Sequence, residues 1–389
     1  MFDVIVVGAG FAGATLAERF ATIENKKVLV IEKRSHIGGN MYDYIDENKV
    51  LRHEYGPHIF HTNSKRVVDY LSTFTSWHSY EHRVLGMVES SLVPIPFNLT
   101  SIEKCFDKEK SARLKKSLIK SYGINSKVPI LELKKNKDVE IKELAEFIYE
   151  HVFKHYTMKQ WGLSPEEIDP KVTGRVPILV GEDDRYFQDE YQMMPMDGYT
   201  SIFNKMLNHN NIEVRLNTDA KDLIRIDLEN NCVFFENKKI DCPVIYTGAV
   251  DDLLNYKLGE LPYRSLYFEI ESFNGTKQSA TTINYPTPET EHAFTRITEY
   301  KLMMSNYPKE SSTLAKEFPK EYNRNAKLGN IPYYPIFTDG NQKKYQDYCD
   351  LIKNIKNLHL LGRLAEYKYY NMDSIIERSL KFFDELKGM

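Results

Sequence analysis

The stretch that decides the fold spans residues 3–34 and reads DVIVVGAGFAGATLAERFATIENKKVLVIEKR. DVIVVGAG predicts a buried parallel strand, AGATLAERFATI a helix with an apolar stripe, and KVLVIEK a second strand. The first turn carries Gly8, Gly10 and Gly13 in G-x-G-x-x-G spacing, and Glu32 closes the second strand. Glycine lets the backbone approach a pyrophosphate at the helix N-terminus, and an acid there accepts from ribose hydroxyls. The stretch therefore predicts a dinucleotide-binding βαβ unit rather than a tight turn without a ligand.

The length and charge balance of the chain indicate a folded protein with more than one domain. Its 389 residues exceed one ordinary hydrophobic core, and 42% hydrophobic with 28% charged residues is the balance of a globular chain. Lysine plus arginine (52) nearly equals aspartate plus glutamate (55), which leaves a net charge of -3. The chain as a whole therefore has no positive electrostatic potential that would attract nucleic acid. We therefore expect no nucleic-acid partner, and any bound anion needs a local site.

Cysteine and histidine usage argues against metal and disulfide sites. The four cysteines show neither CxxC pairing nor metal-finger histidines, which predicts reduced thiols in a cytoplasmic protein: Cys105, Cys232, Cys242 and Cys349. RHEYGPHIFH contains three histidines, but no carboxylate or cysteine completes a plausible ligand set, so no metal is expected. The apolar N-terminal stretch lacks a basic leader and is broken by glycines, so we expect neither a signal peptide nor a membrane span.

Patterns further along the chain predict an α/β fold in which the Rossmann-like domain is discontinuous. Residues 141–156, IKELAEFIYEHVFKHY, keep apolar residues at helical spacing, which indicates an inserted helical domain. SLYFEIES and HAFTRITEY alternate as strands of an antiparallel sheet domain. The predicted division has a dinucleotide-binding domain at 1–78, 198–253 and 345–389, a sheet domain at 79–97, 166–197 (with a mobile loop) and 254–344, and a helical domain at 98–165.

The tyrosine-rich stretch YKYYNMD, residues 367–373, either packs in a core or faces a ligand, and its position favours the ligand. It follows the strand NLHLLGRL and precedes the helix DSIIERSLKFFDEL, which Asp373 is expected to cap. Ligands of doubly wound folds bind outside the carboxyl ends of the parallel strands, where this loop would lie.

Two further patterns leave alternatives open. Arg296 in FTRITEY shares a strand face with Phe294, away from Glu299, so either a surface salt bridge or a bound anion would satisfy it. Tyr156 and Trp161 end the inserted helix and either stack on a base or pack the helical domain.

Nine motifs in order make the chain resemble bacterial UDP-galactopyranose mutase: VIVVGAGFAGATLAERF, VLVIEKRSHIGGNMYD, YGPHIFHTN, YTMKQWG, GRVPI, YRSLYFE, TRITEYK, PYYPI and GRLAEYKYYNMD. The resemblance implies an FAD enzyme that interconverts UDP-galactopyranose and UDP-galactofuranose without net redox change, for cell-surface galactofuranose glycans. It implies that N5 of the reduced flavin attacks the anomeric carbon and displaces UDP, after which the sugar ring opens and recloses. A nucleophilic cofactor would explain why no motif supplies a protein nucleophile. An external flavin reductant and a homodimer are also implied.

Site residues are carried over from the resemblance by motif. Those implied to bind FAD are Gly8, Gly10, Phe11, Ala12, Gly13, Glu32, Lys33, Arg34, Gly38, Gly39, Asn40, His58, Ile59, Gly248, Arg363, Tyr370, Met372 and Asp373. Those implied to bind the substrate are Phe153, Tyr156, Trp161, Arg175, Tyr186, Arg264, Arg296, Tyr334, Tyr369 and Asn371. The implied catalytic set is Arg175 and Arg296, which grip the diphosphate, with His58 and His61 beside the flavin and sugar.

Two departures from the family pattern leave the sugar open. Asn371 stands where the family usually has aspartate, and His82 stands where it often has asparagine. UDP-N-acetylgalactosamine or an arabinose form is therefore an alternative substrate. Two other classes remain as alternatives: an FAD oxidase or desaturase, which would pass electrons to an acceptor, and a nucleotide-binding protein without turnover.

Overall fold

The computed structural model describes residues 2–163 and 176–387 and is built around a five-stranded parallel sheet. In spatial order its strands are Ile212–Arg215, Val28–Ile31, Val4–Val7, Val244–Tyr246 and Leu358–Leu360. Numbered along the chain this order is 3-2-1-4-5, a doubly wound arrangement that reverses direction beside the first strand. The predicted Rossmann-like fold is confirmed, and its ligand crevice is expected at that reversal.

The opening βαβ unit is confirmed in its elements, with the helix at Phe11–Ile23. All residues of Val4–Val7 and Val28–Ile31 are buried, as expected for parallel strands covered on both faces. The helix packs against the C-terminal helix Met372–Leu386 and against Gly198–Leu207. A Cβ on Gly13 would lie 1.9 Å from the carbonyl oxygen of Gly8, so this helix reaches its strand only because residue 13 is glycine.

A seven-stranded sheet matches the antiparallel sheet of the predicted fold class, but Ile178–Leu179 and Tyr191–Pro195, which lie in the predicted sheet-domain segment 166–197, pair with strands outside it. In spatial order its strands are Tyr334–Pro335, Tyr263–Asn274, Ser311–Glu321, Arg296–Glu299, Thr282–Asn284, Val84–Val88 and Ser91–Ile95. All neighbouring pairs are antiparallel except Thr282–Asn284 with Val84–Val88, which run parallel.

The inserted helical region shares one apolar core with the strands Val84–Val88 and Ser91–Ile95. Its helices are Leu99–Cys105, Lys108–Tyr122, Ile130–Leu133, Val139–Ile148 and His155–Trp161, with a π-helical segment at Tyr149–Lys154. Ile141, Leu144 and Ile148 are buried as their spacing predicted. Tyr156, the last member of that predicted stripe, is only half-buried and lines a cavity instead.

The remaining elements are short apart from the 14-residue helix Asp339–Ile352. The other helices are Lys65–Ser72, Ala220–Leu223, Val250–Leu253 and Asp339–Ile352, with 3-10 turns at Gly39–Met41 and Tyr300–Met303. The other strands are Asp43–Ile45 with Leu51–His53, Phe60–Thr62 with Tyr191–Pro195 and Trp77–Ser79, Lys127–Val128 with Ile178–Leu179, and Ile224–Asp227 with Cys232–Phe235 and Lys238–Ile240. Two predicted domain boundaries fall inside elements: 78/79 within Trp77–Ser79, and 344/345 within Asp339–Ile352.

The predicted cap of the C-terminal helix is wrong. The helix begins at Met372, so Asn371 holds the N-cap position and Asp373 lies in the first turn. The Asp373 carboxylate instead accepts from the Thr62 hydroxyl at 2.8 Å and from the Ser374 N–H at 2.7 Å. Within residues 2–163 and 176–387, no helix is both long and apolar enough to cross a membrane.

Candidate functional site

Two cavities meet at Asn371, which lines both of them. The first, here called the glycine cavity, follows the carboxyl ends of the parallel strands past Gly8, Gly10 and Gly248. The second, here called the tyrosine cavity, has a volume of about 620 Å³ and lies between the helical region and the seven-stranded sheet, with Tyr334 in its wall. The two cavities are therefore adjacent and share the side chain of Asn371.

Most residues predicted to bind the cofactor line the glycine cavity. They are Gly8, Gly10, Phe11, Ala12, Glu32, Lys33, Arg34, Gly38, Gly39, Asn40, His58, Gly248, Arg363, Tyr370 and Met372. Three predicted residues do not line it. Gly13 is used in packing against the strand, Ile59 packs against the main core, and Asp373 is turned to Thr62.

The glycine cavity contains a guanidinium group, that of Arg34, which lies 4.2 Å from the ring centre of Tyr55 and has one nitrogen without a hydrogen-bond partner. Nη1 of Arg34 is buried and has no hydrogen-bond partner, while Nη2 donates to Oδ1 of Asn40 at 3.0 Å. Glu32 accepts at 2.9 Å from the Ala9 N–H through one oxygen and from the Arg34 N–H through the other. A buried guanidinium N–H without a partner is costly, which favours an anionic group at this end of the cavity. The glycine turn lets the backbone come close to a ligand, Glu32 supplies an acid, and Arg34 has a nitrogen without a partner. Together these features fit a dinucleotide cofactor.

His58 faces the glycine cavity as a neutral imidazole. Its Nδ1 lies 2.8 Å from the carbonyl oxygen of Gly56, which only accepts, so Nδ1 carries the proton. Burial holds the pKa of His58 well below its usual value, and His53 and Arg363 lower it further. Its Nε2 is therefore an acceptor at neutral pH.

Arg363 reinforces the wall between the cavities. It donates from Nη2 to the Tyr370 carbonyl at 2.6 Å and from Nη1 to the Tyr333 carbonyl at 3.3 Å. Its guanidinium lies 5.4 Å from the ring centre of Tyr334 and 5.1 Å from that of Tyr369. This cation thus orders the tyrosine loop from the side of the glycine cavity.

Nine predicted residues line the tyrosine cavity: His61, Phe153, Tyr156, Trp161, Tyr186, Arg296, Tyr334, Tyr369 and Asn371. Arg175 lies outside the described residues. Arg264 does not line the cavity; its Nε and Nη2 donate to the carbonyls of Gln160 and Lys159 at 2.9 and 3.0 Å. It therefore grips the end of the helix that carries Tyr156 and Trp161.

Lys159 anchors that same helix to the connection between the strands Thr282–Asn284 and Arg296–Glu299 and was missed by sequence reasoning. Its Nζ donates to the carbonyls of Tyr285, His292 and Phe294 at 2.7, 2.9 and 2.8 Å. Burial lowers the pKa of Lys159 to about 8. Three carbonyl acceptors use all three N–H bonds of an ammonium group, so the helix is held in place by a buried cation.

Arg296 is neither on the surface nor paired with its sequence neighbour. Its Nε and Nη2 donate to Oε2 of Glu317 at 2.9 and 2.7 Å, and Glu317 stands directly opposite it on the adjacent strand. The Glu317 side chain is 2% exposed and its Oε1 has no partner, while Arg296 is 27% exposed. Burial works to lower the pKa of Arg296, but Glu317 outweighs it and keeps the guanidinium charged.

Stacked tyrosines supply hydroxyl groups beside this arginine. The rings of Tyr334 and Tyr369 are nearly parallel at 14° with centres 5.8 Å apart, and Trp161 lies 5.9 Å from Tyr334. Burial raises the pKa of Tyr156 and Tyr334, and Tyr369 adds to the effect on Tyr334. These phenols stay protonated at neutral pH and can donate to an anion.

Sequence reasoning also missed the wall opposite the tyrosines. Phe187 and Asp189 line the cavity, where the Phe187 ring stacks on His61 with centres 3.6 Å apart and Nδ1–H of His61 donates to Oδ2 of Asp189 at 2.9 Å. His82 is buried behind Phe187 rather than in the cavity lining, and burial lowers its pKa to about 3. Only the pairing of Phe60–Thr62 with Tyr191–Pro195, which no local pattern encodes, brings His61 to this loop.

No group of three or more histidine, cysteine or acidic side chains suited to a metal ion occurs in the part of the chain that the structure describes.

Comparisons with known proteins agree on one family. The UDP-galactopyranose mutase family profile matches residues 151–369, and an NAD(P)-binding Rossmann-like profile matches residues 6–74. A UDP-galactopyranose mutase of Mycoplasma genitalium is 37% identical, over 99% of this chain and 95% of that relative. A dTDP-fucopyranose mutase of Escherichia coli is 33% identical, over 98% of this chain and 97% of the relative.

The crystal structure of a reduced UDP-galactopyranose mutase shares the fold, with a TM-score of 0.72 at 16% identity over 100% of this chain and 96% of that one. The family profile covers more than half of the chain, and full-length relatives exceed 30% identity. The chain therefore belongs to the UDP-galactopyranose mutase family, a family of isomerases.

Proposed function

We propose that the protein interconverts UDP-galactopyranose and UDP-galactofuranose, with FAD in the glycine cavity and the UDP-sugar in the tyrosine cavity. The observation that carries the proposal is the meeting of the two cavities at Asn371, with Arg296 and a pair of stacked tyrosines on the substrate side. The proposal places the cofactor ring and the anomeric carbon of the nucleotide sugar on either side of Asn371.

The diphosphate lies against Arg296 and the hydroxyls of Tyr186, Tyr334 and Tyr369. Arg296 is already paired with Glu317, so the pair brings almost no net charge and the tyrosines must supply further donors. Arg175, which lies outside the described residues, is the second arginine of this proposal. Donors of this kind stabilise a departing UDP most when its negative charge has developed.

The uracil lies against Phe153, Tyr156 and Trp161. Stacking of a base on an aromatic side chain contributes roughly 1–3 kcal/mol per ring. Arg264 and Lys159 support this binding through the helix that carries Tyr156 and Trp161, although neither contacts the base.

FAD is held by the Gly8 and Gly10 turn, by Glu32 and by Arg34, whose buried Nη1 would gain an acceptor from the pyrophosphate. Reduced flavin supplies a nucleophilic nitrogen, N5, for the anomeric carbon. His58 presents its Nε2 as an acceptor toward the flavin side, and Arg363 keeps the tyrosine loop in place. The proposal includes a cytoplasmic homodimer that needs an external reductant and serves cell-surface galactofuranose glycans.

The test is an isomerisation assay with the purified, FAD-loaded protein. We expect dithionite-reduced protein to convert UDP-galactofuranose to UDP-galactopyranose, measured by chromatography, and the oxidised protein to be nearly inactive. Absence of pyranose product with FAD bound and reduced would refute the proposal. Stoichiometric electron transfer to an acceptor would indicate an oxidase, and UDP binding without turnover a binding protein.

The same assay addresses the sugar nucleotide. Parallel incubations with the UDP-N-acetylgalactosamine, UDP-arabinose and dTDP-fucose forms compare kcat/KM values. dTDP-fucose is included because a dTDP-fucopyranose mutase is among the relatives. We expect the UDP-galactose pair to have the largest kcat/KM; a larger value for another pair would replace the substrate while keeping the reaction type.

A further inference from the structure

The His61 wall of the tyrosine cavity contains a carboxylate that no part of the proposed reaction uses. Asp189 lines the cavity and accepts the Nδ1–H of His61 at 2.9 Å. Its other oxygen accepts from Nδ2 of Asn63 at 2.9 Å. Both carboxylate oxygens are thus turned toward the strand that carries His61, so the loop and the strand are joined through this one side chain.

The loop that carries Asp189 is itself held in place. Nε2 of Gln192 donates to the carbonyls of Phe187 and Asp189, each at 3.1 Å. Gln192 pairs with His61 in the strand register, so the residue that fixes the loop lies beside the histidine that the loop orients. The Glu190 N–H also donates to Oδ1 of Asn63 at 2.8 Å. These contacts give Asp189 a defined position relative to the imidazole.

Both the orientation of the His61 ring plane and the tautomer of the ring are restrained. The Phe187 ring lies 12° from parallel with the His61 ring, at 3.6 Å between centres. A carboxylate only accepts, so the His61 nitrogen that faces it must carry a proton. The hydrogen bond also holds the pKa of Asp189 below its usual range, so the partner stays ionised. The ring edge away from Asp189, which carries Nε2, remains for the cavity.

We propose that Asp189 is a positioning residue: it keeps a proton on Nδ1 of His61, so that in the neutral form of the ring Nε2 is the nitrogen that accepts a hydrogen bond from a hydroxyl of the substrate sugar. This inference rests on the proposed function, because it assigns Nε2 to the sugar of a nucleotide-sugar substrate. It adds the pair Asp189 and His61, whose geometry affects which sugar of the substrate is accepted rather than which nucleotide is bound. An acceptor with a fixed tautomer distinguishes a hydroxyl at one position from a methyl group or hydrogen there.

The test compares Asp189→Asn with Asp183→Asn in FAD-loaded protein. Asparagine can donate to Nδ1, which would move the His61 proton to Nε2 and turn the acceptor into a donor. We expect Asp189→Asn to lower kcat about tenfold or more, with the affinity for UDP within about twofold of wild type. Asp183 lies in the same loop, pairs with Arg185 at 2.7 Å and does not line the cavity, so Asp183→Asn is expected to keep its kcat.

A second readout does not depend on turnover. Long-range 15N–1H spectra of histidine-labelled protein report the tautomer of His61, assigned by loss of its signal in His61→Gln. We expect the Nδ1–H form in wild type and in Asp189→Glu, which keeps an acceptor and should recover much of the kcat. An unchanged His61 tautomer in Asp189→Asn overturns the proposal, as does a kcat within about twofold of wild type.

Failure of the two proposals can be told apart. A wild-type protein that binds UDP but does not isomerise any sugar nucleotide contradicts the proposed function. The tautomer of His61 can still be measured in that protein, so the effect of Asp189 on His61 is tested independently of turnover. A protein that isomerises its substrate with His61 protonated at Nε2 contradicts only the role of Asp189.

Discussion

The two cavities that meet at Asn371 differ in whether their arginines have a partner within the protein. In the glycine cavity Arg34 keeps a buried Nη1 without a partner, whereas in the tyrosine cavity Arg296 is neutralised by Glu317. An orphaned cation suits an anion that stays bound, because its absence leaves a buried donor unsatisfied. A compensated cation suits a diphosphate that enters and leaves, because the arginine remains ordered and desolvated between turnovers.

The largest effect is expected at the compensated pair. Arg296→Met leaves the Glu317 carboxylate buried without a counter-ion, which should lower the free energy of unfolding by about 3–5 kcal/mol. It should also lower kcat by roughly two to three orders of magnitude, because a donor to the departing diphosphate is lost. Urea unfolding and the isomerisation assay measure the two effects.

The double variant Arg296→Met with Glu317→Gln separates stability from activity. It removes both charges, so it should regain most of the stability lost in the single variant but none of the turnover. Recovery of turnover in the double variant would show that Arg296 has only a structural role.

Next in size is the backbone contact that builds the glycine cavity. Gly13→Ala places a methyl group 1.9 Å from the Gly8 carbonyl oxygen, so the helix must move away from its strand. Overpacking of this kind should lower the free energy of unfolding by about 3 kcal/mol and reduce the bound FAD per chain. Flavin absorbance and thermal unfolding report both; Gly340→Ala, which meets no atom within 4 Å, is the matched control.

A smaller effect is expected at the orphaned cation. Arg34→Met should weaken FAD binding by about 2 kcal/mol, the usual contribution of a charge-assisted hydrogen bond, with little loss of apoprotein stability. FAD titration of the apoprotein measures it. Arg215→Met is the control, because Arg215 already pairs with Glu213 and Glu236 on the surface. Equal FAD affinities in the two variants would show that the unpaired nitrogen of Arg34 does not contribute to FAD binding. Arg34 and Arg296 would then not differ in the way proposed.

The smallest effect concerns the wall behind the tyrosine cavity. His82 is buried with its pKa lowered to about 3, so below the ordinary value of 6.5 the unfolded chain binds a proton that the folded protein does not. The contribution of His82 to the free energy of unfolding is therefore fully present above pH 6.5 and is lost as the pH falls below that value. Between pH 7 and pH 5.5 the loss is about 1 kcal/mol. His82→Asn should remove that part of the pH dependence in urea unfolding, and an unchanged pH dependence would contradict a neutral His82.

How far the sequence could predict the site differs between the cavities. Fifteen residues predicted to bind the cofactor line the glycine cavity; those of the opening strand, glycine turn, helix and acid follow from one local motif, and the others, such as His58 and Arg363, were implied by the family resemblance. Arg264 and Glu317 show the opposite case. Arg264 binds helix-end carbonyls about a hundred residues earlier in the chain, and Glu317 meets Arg296 only through the strand register. Neither contact leaves a local pattern.

The predicted cap illustrates a finer limit. Asp373 has the residue type of an N-cap, yet the helix begins one residue before it and its carboxylate bonds to Thr62. Local propensity placed the helix within a residue of its observed start, but a hydrogen bond to a distant strand decided what the side chain does.

The sequence by itself determined the parallel sheet, the glycine turn and the loop YKYYNMD at a strand end, because these follow from short-range periodicity and backbone freedom. Tertiary structure alone decided which partner each buried charge receives: Glu317 for Arg296, three carbonyls for Lys159 and Asp189 for His61. It also sorted the tyrosines, with Tyr367 fully buried and Tyr369 in the cavity. The physical reason is that desolvation makes each buried polar group depend on neighbours that only sheet register and chain packing bring within hydrogen-bonding distance.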